Sequence, residues 1–68
     1  MKKEFIRDFY GRILGSIETD TNGNKVAKDF YGRRLGTYDK KSNMTRDFYG
    51  RIIAKGDQTA GLIWSNKK

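Results

Sequence analysis

Three aspartates recur in one short sequence context and are the first candidates for acid–base chemistry. Asp8, Asp29 and Asp47 each open the run Asp-Phe-Tyr-Gly-Arg. The chain has no cysteine and no histidine, which removes thiolate nucleophiles, thiolate zinc sites and the usual proton shuttle. The aspartates stand where turn residues are expected, so turn formation explains their periodicity without catalysis. We therefore expect no enzyme activity, no catalytic residue, no metal site and no cofactor.

A second acidic stretch has some features of a calcium-binding loop. Asp20, Asn22 and Asn24 alternate along the chain as oxygen ligands do in such loops. The glycine falls at the wrong position and no glutamate closes the loop, so turn formation accounts for these residues better. Phosphate-loop, dinucleotide-binding and nucleophile-elbow motifs are missing from the sequence.

The dominant feature of the chain is a threefold internal repeat. A hexamer, Arg or Lys followed by Asp-Phe-Tyr-Gly-Arg, occurs at Arg7–Arg12, Lys28–Arg33 and Arg46–Arg51, at intervals of 21 and 18 residues. Aspartate followed three residues later by glycine is typical of a type I turn that ends in the left-handed region. Glycine adopts that region at little cost. We expect positive φ angles at Gly11, Gly32 and Gly50.

Each hexamer also predicts an ion pair across its turn. The aspartate and the final arginine would face each other at the two strand ends, where opposite charges contribute about 0.2–1 kcal/mol. The expected pairs are Asp8 with Arg12, Asp29 with Arg33, and Asp47 with Arg51. Similar turn chemistry recurs at Asp20-Thr21-Asn22-Gly23, and Asn43 is expected in the left-handed conformation in the following unit.

These signals predict an all-β fold, an antiparallel meander of three repeated β-hairpins, as an open curved sheet or a small barrel. We expect one domain over residues 1–68, with repeats near 4–24, 25–43 and 44–64. The apolar stretch Ala60–Trp64 is predicted to be a short strand or hook that covers an open sheet edge, with one helical turn as the alternative. The six expected strands are Glu4–Arg7, Arg12–Thr19, Lys25–Lys28, Arg33–Tyr38, Met44–Arg46 and Arg51–Lys55.

The charge distribution favours a polyanionic partner. Fifteen basic and eight acidic residues give a net charge of +7. Residues 27–68 carry ten basic and four acidic side chains, so most of the excess lies there. Such a charge is expected of a small domain that meets nucleic acid or another polyanion. The alternative is that the basic residues form a solvated surface of a soluble protein. The start of the chain does not resemble a signal peptide and no apolar run is long enough to span a bilayer, so we expect a cytoplasmic protein without membrane contact.

Six aromatic residues occupy the central positions of the predicted turns, where polar residues are usual. The interpretation favoured by the small size of the domain is that the Phe-Tyr pairs fold back and form part of the core. The alternative is that some rings, the tyrosines first, face a partner, where they would stack on bases beside the cations. The pairs are Phe9-Tyr10, Phe30-Tyr31 and Phe48-Tyr49.

The sequence is therefore interpreted as a non-enzymatic binding module that engages nucleic acid, or another polyanion, through a basic and aromatic β face. The alternative is a protein-interaction or self-assembling module, such as an accessory or inhibitor protein of a phage or mobile element. Neither hypothesis involves a small-molecule substrate. The residues expected to bind nucleic acid or a partner are Tyr10, Tyr31, Tyr49, Arg7, Lys28, Arg34, Lys40, Lys41, Arg46 and Lys55.

The tandem Asp-Phe-Tyr-Gly-Arg motifs, with the Leu-Gly pairs that follow them, resemble hairpin repeats of small uncharacterised proteins from Gram-positive bacteria and their phages or conjugative elements. That resemblance covers nearly the whole chain and implies no activity. Arg7–Gly15 is also similar to the opening strands of the arm-site DNA-binding domain of conjugative-transposon integrases, which implies DNA contact by a sheet. The period resembles choline-binding hairpins as well, but those use paired tryptophans and this chain has only Trp64.

Overall fold

The computed structural model of the chain describes residues 2–65. Six antiparallel strands form one sheet in the order of the sequence, and a short helix follows the last strand. This confirms the predicted meander of three hairpins. Within residues 2–65 the sheet is open, because the first and sixth strands do not pair with each other. The elements are β1 (Lys2–Arg7), β2 (Ile13–Thr19), β3 (Lys25–Asp29), β4 (Arg34–Asp39), β5 (Met44–Asp47), β6 (Ile52–Lys55) and α1 (Thr59–Ser65).

The three hairpins, β1–β2, β3–β4 and β5–β6, share one irregularity. In each hairpin the register shifts just inside the turn, so that the second strand has one extra residue at that point. A β-bulge of this kind bends the strand and increases its twist. The three repeats therefore agree in backbone shape as well as in sequence. The extra residues are Leu14, Leu35 and Ile53.

The core lies between α1 and the middle of the sheet. The helix packs against β2, β3 and β4, and its Ile63 is 1% exposed beside Ile17 and Ala27. The favoured prediction of a strand or hook over an edge at Ala60–Trp64 is therefore wrong. The alternative of a helical turn is closer, since this segment belongs to a helix that covers a sheet face. The central strands offer the larger apolar surface, and a helix can bury more of it than an added edge strand. Within residues 2–65, no helix has the length and apolarity needed to cross a membrane.

Two glycines allow this close packing. A Cβ atom on Gly15 would overlap the carbonyl oxygen of the neighbouring strand and lie 3.1 Å from Ile63. A Cβ on Gly36 would overlap the next strand in the same way and lie 2.6 Å from Leu62 Cδ1. Real Cβ contacts almost never fall below 3.0 Å. Both positions therefore require glycine because backbone and helix approach them together.

Polar contacts attach the start of α1 to the sheet. Thr45 is fully buried; its hydroxyl donates to the Gly56 carbonyl at 2.6 Å and accepts from the Gln58 amide at 3.0 Å. Asp57 accepts hydrogen bonds from the backbone amide and the hydroxyl of Thr59, at 3.1 and 2.7 Å. These bonds satisfy polar groups that would otherwise be buried without partners.

An ion pair joins this loop to the central sheet. The Lys25 ammonium lies 2.6 Å from the Asp57 carboxylate. Burial alone would raise the pKa of Asp57, but the bonds from Lys25 and Thr59 outweigh it and lower that pKa. The same bond from Asp57 raises the pKa of Lys25. Both shifts favour the charged forms, so the pair stabilises the position of α1 at neutral pH.

Candidate binding site at the hexamer end of the sheet

The first hexamer folds as the predicted tight turn. The Asp8 carboxylate accepts hydrogen bonds from the amides of Tyr10 and Arg12, at 2.8 and 2.9 Å. The Gly11 amide donates to the Asp8 carbonyl at 3.0 Å, and Gly11 has a φ of 83°. One aspartate thus organises the whole turn and leaves the central side chains free to project from it.

The other two hexamers repeat this geometry closely. Asp29 and Asp47 accept the equivalent backbone bonds at 2.8–2.9 Å, and Gly32 and Gly50 both have φ angles of 83°. The predicted left-handed glycines are confirmed in all three copies. The prediction for Asn43 is also confirmed, by its φ of 57°.

Each turn aspartate is also paired with the arginine that ends its hexamer. The Nε–Oδ2 distances are 3.1 Å for Asp8 with Arg12, 3.0 Å for Asp29 with Arg33, and 3.5 Å in the third copy. Burial raises the pKa of Asp8 and Asp29, but the bonds from backbone amides and from the arginine outweigh it and lower both pKa values. The arginine side chains are about three-quarters exposed, so the pairs fix geometry more than they add stability.

The turn aromatics are on the surface. The three tyrosines are 77–78% exposed, and the phenylalanines are 93%, 64% and 60% exposed at Phe9, Phe30 and Phe48. The favoured expectation that these rings form part of the core is therefore wrong. The reason is geometric: the central residues of a two-strand turn lie beyond the last cross-strand pair, where the sheet has no layer to cover them.

Within each turn the rings are held in one arrangement. Phe and Tyr meet edge to face, with centroids 5.3–5.6 Å apart. The guanidinium of the last arginine lies 5.4–5.6 Å from the tyrosine ring centroid. Cation–π and edge-to-face contacts of this length are favourable. Each turn therefore presents an ordered aromatic and cationic group.

All three hexamers lie at the same end of the sheet, which we call the hexamer end. In a meander, alternate turns fall on one end, and the hexamers are the first, third and fifth turns. Two interstrand spacings separate neighbouring hexamers, so they recur about every 10 Å. All six arginines of the chain belong to the hexamers or follow one directly, whereas the hexamers contain three aspartates. The hexamer end is therefore aromatic and cationic along its length.

Four of the predicted basic residues lie at or beside the hexamer end. The Arg7 and Arg46 guanidiniums donate to the carbonyls of Gly11 and Gly50, at 2.9 and 3.1 Å. Lys28 instead pairs with Glu18 at 3.1 Å and is opposite Arg34 across the strands. Arg7, Lys28 and Arg46 each follow a residue that faces α1. Because side chains alternate along a strand, these three project from the sheet face that α1 does not cover.

The remaining predicted cations lie at the far end of the sheet, away from the hexamers. Lys40 and Lys41 belong to the turn after β4, and Lys55 ends β6. A strand of four to six residues, roughly 13–20 Å, separates them from the hexamers. The structure therefore does not bring all ten predicted residues together. It places seven near one end, including Tyr10, Tyr31 and Tyr49, and three at the other.

An open groove runs between the first and second hexamers. Its walls include Arg12 and Leu14 from the first hairpin and Phe30 and Tyr31 from the second. Phe30 and Phe48 each have a preceding hexamer beside them, whereas Phe9 lies in the first. The lower exposure of Phe30 and Phe48 agrees with this difference.

Sequence reasoning left the three phenylalanines and the terminal arginines of the hexamers out of the candidate site. The phenylalanines were expected in the core and the arginines in structural pairs. The pairs exist, but the guanidiniums stay exposed and lie near the tyrosine rings. The signal that could have identified them is the position of both residue types in or beside a turn, which lies beyond the sheet.

Comparison with known proteins adds no relative. No protein-family model, curated protein or solved structure matches the chain.

Proposed function

We propose that this protein is a non-enzymatic module that binds single-stranded nucleic acid along the hexamer end. The observation that carries the proposal is the row of three identical turns, each with an exposed Phe-Tyr pair beside an exposed arginine. Exposed rings provide stacking surfaces for bases, and nearby cations attract phosphates. A single strand suits this arrangement because its bases are already free to leave the stack.

The charges divide between two roles. The last arginine of each hexamer is held by an aspartate and a tyrosine ring, so it positions the ring and adds local positive charge. Arg34 is exposed at the hexamer end and is suited to phosphate contact. Arg7 and Arg46 bond to backbone carbonyls through one nitrogen each, and a guanidinium has further donors for phosphate.

The groove between hexamers suggests where a base stacks. Phe30 and Tyr31 form one wall, and Arg12 and Leu14 contribute to the other. A flat base inserted there would contact a ring on one side and a guanidinium or an aliphatic chain on the other. Because the third hexamer follows the second with the same turn geometry, we expect an equivalent interval beside Phe48, so that each interval uses the phenylalanine of the following hexamer.

The first experiment measures binding of the full chain to fluorescent single-stranded and duplex oligonucleotides across salt concentrations. On a single strand, log K should fall by about 0.7 per phosphate contact for each unit of log salt. We expect a steep slope and a preference for the single strand. A flat salt response, or no binding at low salt, would reject nucleic-acid binding and leave protein interaction as the alternative.

Two variants with the same charge loss locate the site. Arg34→Ala removes an exposed cation at the hexamer end, and Lys41→Ala removes one at the far end. We expect a reduced affinity and a shallower salt slope for Arg34→Ala and little change for Lys41→Ala. Equal effects of the two variants would show that the hexamer end is not the site.

The phenylalanines test the groove directly. Stacking on one aromatic ring contributes about 1–3 kcal/mol per base, which is roughly 5-fold to 150-fold in affinity. We expect losses in this range for Phe30→Ala and Phe48→Ala, and a smaller loss for Phe9→Ala, whose ring has no preceding hexamer. Equal losses at all three positions would contradict stacking between hexamers.

A further inference from the structure

The third repeat departs from the first two at the positions that meet the next hairpin. The third and fourth residues after each hexamer are Gly15-Ser16 in the first copy and Gly36-Thr37 in the second. In the third copy they are Ala54-Lys55. The same positions therefore carry a small, uncharged pair twice and a larger, charged pair once.

In the first two copies these residues form the joints between hairpins. Gly15 is opposite Asp29, and a Cβ on Gly15 would overlap the Lys28 carbonyl oxygen. Gly36 is opposite Asp47 in the same way, and its Cβ would overlap the carbonyl oxygen of Arg46. Both joints therefore use the missing glycine side chain to bring the next strand close.

The residue after each glycine also meets the basic residue of the next hexamer. Ser16 is opposite Lys28, and Thr37 is opposite Arg46. A neutral hydroxyl side chain next to a cation causes no repulsion. The joints between hairpins thus combine a glycine for close approach with an uncharged neighbour for the incoming cation.

The same joint formed between two copies of the chain would fail at β6. Because β6 runs antiparallel to β1, β1 of a second copy would continue the meander with all hexamers at one end. By the register of the other joints, Ala54 would meet Asp8 of that copy and Lys55 would meet its Arg7. The Ala54 Cβ would overlap the incoming carbonyl oxygen, and two cations would lie directly opposite each other, which is destabilising.

The strand itself offers little to an incoming copy. β6 has four residues, compared with seven in β2 and six in β4. Gly56 follows with a φ of 87° and bonds to the Asn43 carbonyl, which turns the chain towards α1. A short, charged edge strand is one way in which proteins avoid edge-to-edge association.

We propose that Ala54 and Lys55 stop the sheet from extending head to tail through a second copy of this chain. The need for such a stop follows from the repeat, since identical hairpins that accept one another inside the chain would also accept a hairpin from another chain. A head-to-tail joint of this type leaves a free edge on each added copy, so it produces rings or open chains of subunits. The stop limits the row of hexamers to the three within one chain.

The test restores the residues of the first two joints. The variant Ala54→Gly with Lys55→Thr should associate as its concentration rises in sedimentation velocity, over a range in which the wild-type chain stays monomeric. Lys41→Thr is the control, because it removes the same charge away from β6. A folded double variant that remains monomeric, or a wild-type chain that associates through β6, would overturn the proposal.

A charge exchange identifies the joint. With Ala54→Gly in place, Lys55→Glu should associate more tightly than Lys55→Thr, by about 1.4-fold to 5-fold in Kd, because glutamate would face Arg7 of the second copy. Adding Arg7→Glu should weaken that association again. If neither change alters the Kd of association, the copies do not associate in this register and the inference is overturned. Circular dichroism of each variant confirms that it is folded.

Discussion

Gly36→Ala is the substitution that most directly tests how the helix and the sheet fit together. The added Cβ would overlap the Arg46 carbonyl oxygen and lie 2.6 Å from Leu62 Cδ1. An ordinary contact begins near 3.4 Å, so Leu62 alone must move by about 0.8 Å. The carbonyl belongs to a paired strand and cannot move without disturbing β5. The variant therefore has to displace the helix, the strand or both.

The cost can be estimated from this geometry. Forcing an extra methyl group into a packed core costs about 1–3 kcal/mol, and the rigid carbonyl places Gly36→Ala in the upper half of that range. A 68-residue domain has a free energy of unfolding of roughly 3–10 kcal/mol. A loss of about 2–3 kcal/mol is then a large part of the total. It should lower the melting temperature by roughly 8–20 °C.

Urea denaturation followed by far-ultraviolet circular dichroism measures this loss. Gly61→Ala is the matched control, because its Cβ meets only Gln58 Oε1, at 3.5 Å, and it lies within α1. Alanine in place of an internal helical glycine should stabilise the protein by about 0.5–1 kcal/mol. The two Gly→Ala changes are thus expected to act in opposite directions. A Gly36→Ala protein with an unchanged unfolding midpoint would refute the close approach described here.

Three further predictions concern the turns and the loop before α1. Gly32→Val should lower the melting temperature markedly, because a β-branched residue is strained at a φ of 83°; an unchanged value would contradict the left-handed turn. The pKa values of Asp8, Asp29 and Asp57 are lowered from 3.8 by folding. Their contribution to the free energy of unfolding should therefore be complete above about pH 5 and be lost as the pH falls through the lowered values. Urea titrations at several acidic pH values measure this loss, and a constant midpoint would contradict it. Thr45→Val should cost about 1–3 kcal/mol, because it leaves two backbone groups of the β6–α1 connection without their hydroxyl partner. Faster amide exchange in that connection, compared with the wild type, is the specific measurement.

The turns were predictable because their causes are local. Asp8 organises the bonds of its own hexamer within four residues, and Gly11 meets the φ requirement of the same turn. The three copies confirm one another, since a hexamer repeated three times is expected to fold the same way each time. Strand positions and the meander order followed from the turns, because short turns join neighbouring antiparallel strands.

The helix was not predictable in the same way. The segment Ala60–Trp64 has an apolar pattern too short to separate a strand from one or two helical turns. Its conformation depends on partners far along the chain, including the Lys25 pair with Asp57 and the buried hydroxyl of Thr45. Gly15 and Gly36 both follow a leucine in the repeat, but only the tertiary structure shows why a side chain cannot fit there, because the carbonyl of the neighbouring strand and the packed helix both approach each glycine.

The features of the candidate site also have two origins, the sequence and the tertiary structure. The sequence itself determined that aromatic and basic residues share one hexamer, that the hexamer is a turn, and that the chain is strongly basic. Only the tertiary structure decided that the three turns share one end of an open sheet, that their rings stay exposed, and that Lys40, Lys41 and Lys55 lie at the other end. The physical reason is range: a turn is determined by bonds within a few residues, whereas exposure depends on which distant surfaces come to cover a side chain. Here α1 covers the central strands and leaves the hexamer rings in contact with solvent.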